Sequence, residues 1–145
     1  TSEDGKVSVR VIAGEALGTR AAIETRTPIL YQHFTLQSQG VLDHSVPTDF
    51  NVFAYVIDGE GQFGDDATVA KTHQMVVFGD AGERIAVRNV SDKPMSFLLI
   101  GGKPLGEPVA RYGPFVMNTE GEIRQAILDF QAGRMGRIPA SSNTD

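Results

Sequence analysis

The sequence predicts an all-β domain, a closed barrel or jelly roll of many short strands, followed by one amphipathic α-helix. Three observations predict it. Apolar and polar residues alternate over short runs through the first two-thirds of the chain, the period-2 signature of half-buried strands. Sixteen glycines and seven prolines punctuate those runs, which favours tight turns over a helical bundle. A 3.6-residue apolar period occurs only near the C-terminus.

Taken in order, Val7, Val9 and Val11 alternate with Ser8 and Arg10, and Gly14 and Gly18 then break the pattern. Residues 28–36 set Leu30, Gln32, Phe34 and Leu36 on one face and Ile29, Tyr31, His33 and Thr35 on the other. Residues 51–57 are almost continuously apolar, the pattern of a strand buried on both sides. Asp58-Gly59-Glu60-Gly61 is a strong turn signal, with Gln62-Phe63-Gly64 as the returning strand. Further strands are expected over residues 68–71, 74–78, 84–90 and 95–100, making about eight to ten in all.

In the final third, Thr119 and Glu122 have the spacing of a capping box. Behind them Ile123, Ala126, Ile127 and Phe130 recur at helical spacing and form one apolar stripe, with Gly133 as the stop. The expected organisation is a polar linker over residues 1–6, one domain over residues 7–136, and a small, polar, flexible tail over residues 137–145. Because the first residue is Thr1, the start reads as an internal point of a longer protein or an engineered boundary.

Composition removes several classes. The net charge of −5 comes without a dense Lys/Arg run, so no broad phosphate-neutralising surface, and hence no direct nucleic-acid binding, is expected. With no cysteines, disulfides, thiolate metal sites and cysteine nucleophiles are ruled out. No apolar run reaches the roughly 18 residues of a membrane-spanning helix.

The chemistry-bearing residues are few. There are three histidines, His33, His44 and His73. Residues 40–51, which contain Asp43, His44, Val46 and Asn51, lead into the Asp58-Gly59 turn. This stretch resembles the first motif of metal-binding cupins, in which two histidines and a glutamate face the barrel mouth and hold a divalent metal. On that pattern His44 falls at the first histidine, Val46 at the second and Asn51 at the glutamate. A second motif, opening near Asp80-Ala81-Gly82-Glu83, would place its histidine within residues 88–94, where none exists. One ligand of four survives. Valine cannot coordinate, and a neutral amide is a poor donor for an ion that prefers imidazole and carboxylate. His44 is therefore a remnant of the motif, and no catalytic, cofactor-binding or metal-binding residue is assigned.

Other blocks point to a narrower family. They begin with Arg10-Val11-Ile12-Ala13-Gly14-Glu15 and Thr27-Pro28-Ile29-Leu30-Tyr31, and include residues 51–61 and 73–79. The most specific is Phe97-Leu98-Leu99-Ile100-Gly101-Gly102-Lys103-Pro104-Leu105-Gly106-Glu107-Pro108-Val109, continued by residues 113–119 and 122–126. In this order they resemble the C-terminal cupin domain of the pirins. The resemblance implies a bicupin: two barrels in one chain, with iron held by three histidines and a glutamate in the N-terminal one. That metal motif appears nowhere here, so no ligand carries over. The resemblance further implies a cytoplasmic protein, nuclear as well if eukaryotic, and either iron-dependent quercetin 2,3-dioxygenase activity or transcriptional coregulation through protein contacts.

Two readings follow. In the first, this domain is metal-free, packs against the N-terminal barrel of the same protein, and offers surface to other proteins. In the second, the barrel binds a small substrate or a metal itself, through His44, His73 and His33 with Asp43 or Asp49.

Overall fold

Alternation and turn chemistry lay down the strands nearly as the sequence predicts. The computed structural model describes residues 1–79 and 82–136; the expected tail at 137–145, and Asp80 and Ala81 of the second motif, lie outside the described residues. The chain divides into two compact units, Thr1–Pro104 and Leu105–Asp145.

The first unit contains β1 (Val7–Ala13), β2 (Glu15–Ala16), β3 (Thr19–Arg20), β4 (Ile29–Leu36), β5 (Val41–Ser45) and β6 (Asn51–Asp58). It continues with β7 (Glu60–Phe63), β8 (Thr68–Lys71), β9 (Met75–Val77), β10 (Arg84–Arg88) and β11 (Met95–Gly102). A five-stranded antiparallel sheet has the order β1-β4-β11-β6-β9, and a four-stranded one the order β5-β10-β7-β8. Their inner faces meet on an aromatic cluster. Phe97 of β11 stacks on Phe34 of β4, with centroids 5.5 Å apart, and takes Phe63 of β7 edge-on at 5.4 Å. Because the first two rings belong to one sheet and the third to the other, this cluster holds the layers together.

The parity of β4 is as expected: Leu30, Gln32, Phe34 and Leu36 are buried, and the alternate residues less so. The expectation for residues 51–57 needs correction. β6 is buried on one face through Val52, Ala54 and Val56, while Phe53 and Tyr55 on the other are only half-buried. Its apolar residues line both faces of the sheet, but one of those faces is the outer one.

Two turns show why particular residues are required. Gly59 joins β6 to β7 at φ 84°, a left-handed conformation that glycine adopts without steric cost. A Cβ there would also lie 2.9 Å from that of Met95. Residues 1–6, expected as a linker, form a hydrogen-bonded turn: the amide of Ser2 donates to Val7 O at 2.7 Å, and that of Gly5 to Ser2 O at 3.1 Å.

The second unit holds the hairpin of β12 (Ala110–Tyr112) and β13 (Phe115–Met117), then helix α1 (Glu120–Gln131). The capping box is complete: the amide of Glu122 donates to Thr119 Oγ1 at 3.2 Å, and the Thr119 amide donates to Glu122 Oε2 at 2.8 Å. Gly133, just past the end, has φ 68°, which suits a C-terminal stop. Of the predicted stripe, Ile123 and Ala126 are buried. Phe130 is 65% exposed despite its edge contact with Phe115, so the stripe is narrower than its periodicity implied. No helix among the described residues is long and apolar enough to cross a membrane.

Candidate functional site

The interior of the first unit is where the sequence placed its remnant motif. β5 alternates, with Leu42 and His44 inward and Val41, Asp43 and Ser45 outward. His44 is 7% exposed and sets its ring edge-on against Phe34, with centroids 5.5 Å apart. Directly across the ladder on β10 its partner is Ile85, 3% exposed. Val46 also faces inward at 9% exposure.

Asn51 does not take the glutamate position. It is exposed, and the inward residue beside it is Val52. The inward residues are even-numbered on both sides of the turn, His44 and Val46 before it and Val52 and Ala54 after it, so odd-numbered Asn51 falls on the outer face. The second motif's histidine was sought within residues 88–94, but the residue opposite His44 lies earlier on the chain. Ile85 faces His44, whereas Arg88 is exposed at the end of β10. The alternation of Arg84, Ala86 and Arg88 with Ile85 and Val87 carried this signal.

A cavity of about 280 Å³ opens beside this wall, lined on its apolar side by Val46, Phe50, Val52, Phe63, Phe78 and Ile85. Asp65, Asp66, Thr48 and Arg84 also border it; His44 does not line it. Such a wall does not fit a first-row metal, because no imidazole or carboxylate projects from the positions that would complete a set with His44.

The remaining candidates lie apart. His33 is on the outer face of β4, and its Nε2 is buried without a partner. His73, at φ 67° in the turn before β9, has Nδ1 3.1 Å from the hydroxyl of Tyr55. Asp43 pairs with Arg84 on the outer face of β5 and β10. Asp49 pairs with Lys103 at 2.9 Å, and this contact holds its carboxyl below the usual carboxylate range while raising the lysine. Among the described residues no three His, Cys, Asp or Glu side chains come together to hold a metal ion. The second reading's residues are thus not one site.

Burial lowers the pKa of His44 from its ordinary 6.5, since a desolvated imidazolium is disfavoured. The unfolded chain therefore binds a proton below about pH 6.5 that the folded chain resists. The stability from neutral His44 is fully present above that pH and is lost as pH falls toward the lowered folded value. Denaturation at pH 7.5 and pH 5 is expected to show a lower midpoint in acid, and His44→Leu should flatten the difference. An unchanged acid loss in that variant would assign it to other groups.

Sequence reasoning missed one residue that organises the opposite end of β10, where that strand leaves the sheet beside Gly40. Asn89 is 2% exposed. Its Nδ2 donates to the carbonyls of Leu36, Gln37 and Lys93, and its Oδ1 accepts from the amide and hydroxyl of Ser91. The turn residues around it were visible in the sequence, but not that its side chain turns inward.

Two antiparallel sheets closed on an apolar interior, with one histidine where a ligand set would stand, define a cupin-type barrel lacking that set. Residues 31–136 match the model of the pirin C-terminal cupin domain, and the chain belongs to that family. It is 46% identical over 136 residues to a pirin-like protein of Solanum lycopersicum, covering 93% of this chain and 46% of that protein. It is 44% identical over 137 residues to pirin of Homo sapiens, covering 93% of this chain and 47% of that protein. A crystal structure described as quercetin 2,3-dioxygenase from Acinetobacter baumannii superposes with a TM-score of 0.81 at 29% identity, covering 94% of this chain and 46% of that one. The chain thus spans about half the length of the curated relatives it matches.

Proposed function

We propose that this chain is the metal-free barrel of a two-barrel pirin, packing against and stabilising a metal-binding N-terminal barrel and offering surface to protein partners. In this reading iron, and any quercetin 2,3-dioxygenase chemistry, belong to the other barrel. The observation that carries it is the wall around His44. Val46 and Ile85 stand where coordination would need imidazoles, while the strands and the packed aromatic cluster persist. A scaffold kept for packing rather than coordination has that pattern. The half-length match to the relatives supports a second domain.

The test begins with the coding sequence on either side of this chain, which should encode one more barrel carrying a histidine-rich metal motif. The full-length protein should then hold about one equivalent of iron, unchanged by His44→Leu. A gene without a second barrel, or iron lost in that variant, would overturn the reading.

A further inference from the structure

The cavity beside the His44 wall has a graded lining. Its floor belongs to the core: Val46, Val52, Phe63 and Ile85 are all buried. Phe50 and Phe78 are half-buried, and the rim residues Thr48, Asp65, Asp66 and Thr68 are exposed. An apolar hollow with a few polar groups at its mouth is the usual make-up of a small-molecule site. The space suffices for one ring and a short arm. Apolar cavities of about 150 Å³ already hold benzene, and this one has about 280 Å³.

The charge at the mouth is fixed in place. Asp65 and Asp66 occupy the two middle positions of the turn from β7 to β8, and both ends of that turn are tied. The Gly64 amide donates to Ala86 O at 2.8 Å, and the Ala67 amide donates to Gly64 O at 3.2 Å. Among the described residues no lysine, arginine or histidine forms an ion pair with either carboxylate. Arg84, the one cation among the described lining residues, is already committed. Its Nε donates to Asp43 Oδ1 at 2.8 Å, and its Nη2 pairs with the other oxygen.

These groups narrow what fits. Two adjacent carboxylates do not make a metal site, since among the described residues no third His, Cys, Asp or Glu joins them. An anionic ligand would meet two uncompensated like charges, and would have to break the Arg84–Asp43 pair to find a cation. An organic ammonium suits both parts. Its hydrocarbon body displaces water from the floor, and its N–H groups meet carboxylates and threonine hydroxyls at the rim. Three phenylalanines in the lining favour an aromatic body. We propose that this cavity is a binding site for a small primary amine carrying one aromatic ring. The proposal does not depend on which barrel of the protein holds a metal.

Three probes of nearly equal size test it by calorimetric titration of the chain at pH 7.5: 2-phenylethylamine, 2-phenylethanol and phenylacetate. The amine is expected to bind at about one equivalent with a Kd of about 1 mM or tighter. It should bind at least about fivefold more tightly than the alcohol, with phenylacetate the weakest. Asp65→Asn with Asp66→Asn, on an exposed turn, should bring the amine down to the alcohol and leave the alcohol unchanged. Residue 68 shares its strand face with buried Ala70, so the ring of Thr68→Phe should close the mouth and abolish binding of all three. Should that variant lower Tm, the wild-type methyl resonances of Val46, Val52 and Ile85 decide instead, because the amine must shift them saturably. The proposal is overturned by an amine that does not saturate, or by equal affinities for amine and alcohol. It is equally overturned by an amine preference that survives the double variant, or by methyl resonances that do not move.

Discussion

Phe97→Ala is expected to destabilise the first unit by about 4 kcal/mol, the cost of truncating a buried phenylalanine whose neighbours cannot fully collapse. The ring is wholly buried at the middle of β11 and touches an aromatic from each layer, stacked on Phe34 and edge-on to Phe63. Its removal leaves a void at the junction of the sheets and forfeits two aromatic pairings, each worth roughly 0.5–1.5 kcal/mol beyond area burial. For a chain of this size the midpoint should fall by roughly 8–16 °C. Chemical denaturation at pH 7.5 measures this directly. Phe97→Leu should recover a large part of the loss, since it keeps most of the volume. Phe130→Ala is the contrast: that ring is largely exposed, and its loss should cost under about 1 kcal/mol. A small effect at Phe97 would mean that the layers are not held by this cluster.

Asn89→Ala is expected to cost about 3 kcal/mol, although it deletes little apolar volume. One amide group donates to three backbone carbonyls, while its oxygen takes two donors from Ser91. Each bond contributes roughly 0.5–1.5 kcal/mol net, but a buried group left unpaired costs about 1–3. The carbonyls of Leu36 and Gln37 lie more than 50 positions from Asn89 along the chain, so the bonds tie the end of β4 to the turn entering β11. Asn89→Asp keeps the acceptor and loses all three donations, besides setting a carboxylate against carbonyl oxygens. It should be at least as damaging as alanine. If aspartate were tolerated, the donations to the carbonyls would not be what stabilises this corner.

The sequence carried most of the barrel because its strands obey parity. The inward set Leu30, Gln32, Phe34 and Leu36, and the Asp58-Gly59 turn, are local signals that tertiary structure does not override. The two-residue strands Glu15–Ala16 and Thr19–Arg20 were not legible, since two residues have no period. Residues 51–57 misled because an apolar outer face reads like burial on both sides. The helix start was legible from Thr119 and Glu122, but the exposure of Phe130 depends on what covers α1, which periodicity does not contain. At the site, His44 and Val46 were placed correctly on the inner face. Asn51 was misplaced because motif spacing was followed instead of parity: the inward positions stay even-numbered from His44 and Val46 to Val52, which leaves residue 51 outside. Ile85 was overlooked because the second motif's histidine was sought within residues 88–94. Asn89 was invisible, because a buried asparagine and a surface turn asparagine look alike until its long-range partners are known.

The central claim is that the interior of this barrel coordinates no metal. The most direct measurement is the metal content of the tag-free chain after incubation with excess Fe(II), Mn(II), Ni(II) or Zn(II) and desalting. The account predicts well under one equivalent of each, with His44→Ala indistinguishable from wild type. One equivalent that survives desalting and disappears in His44→Ala would contradict it.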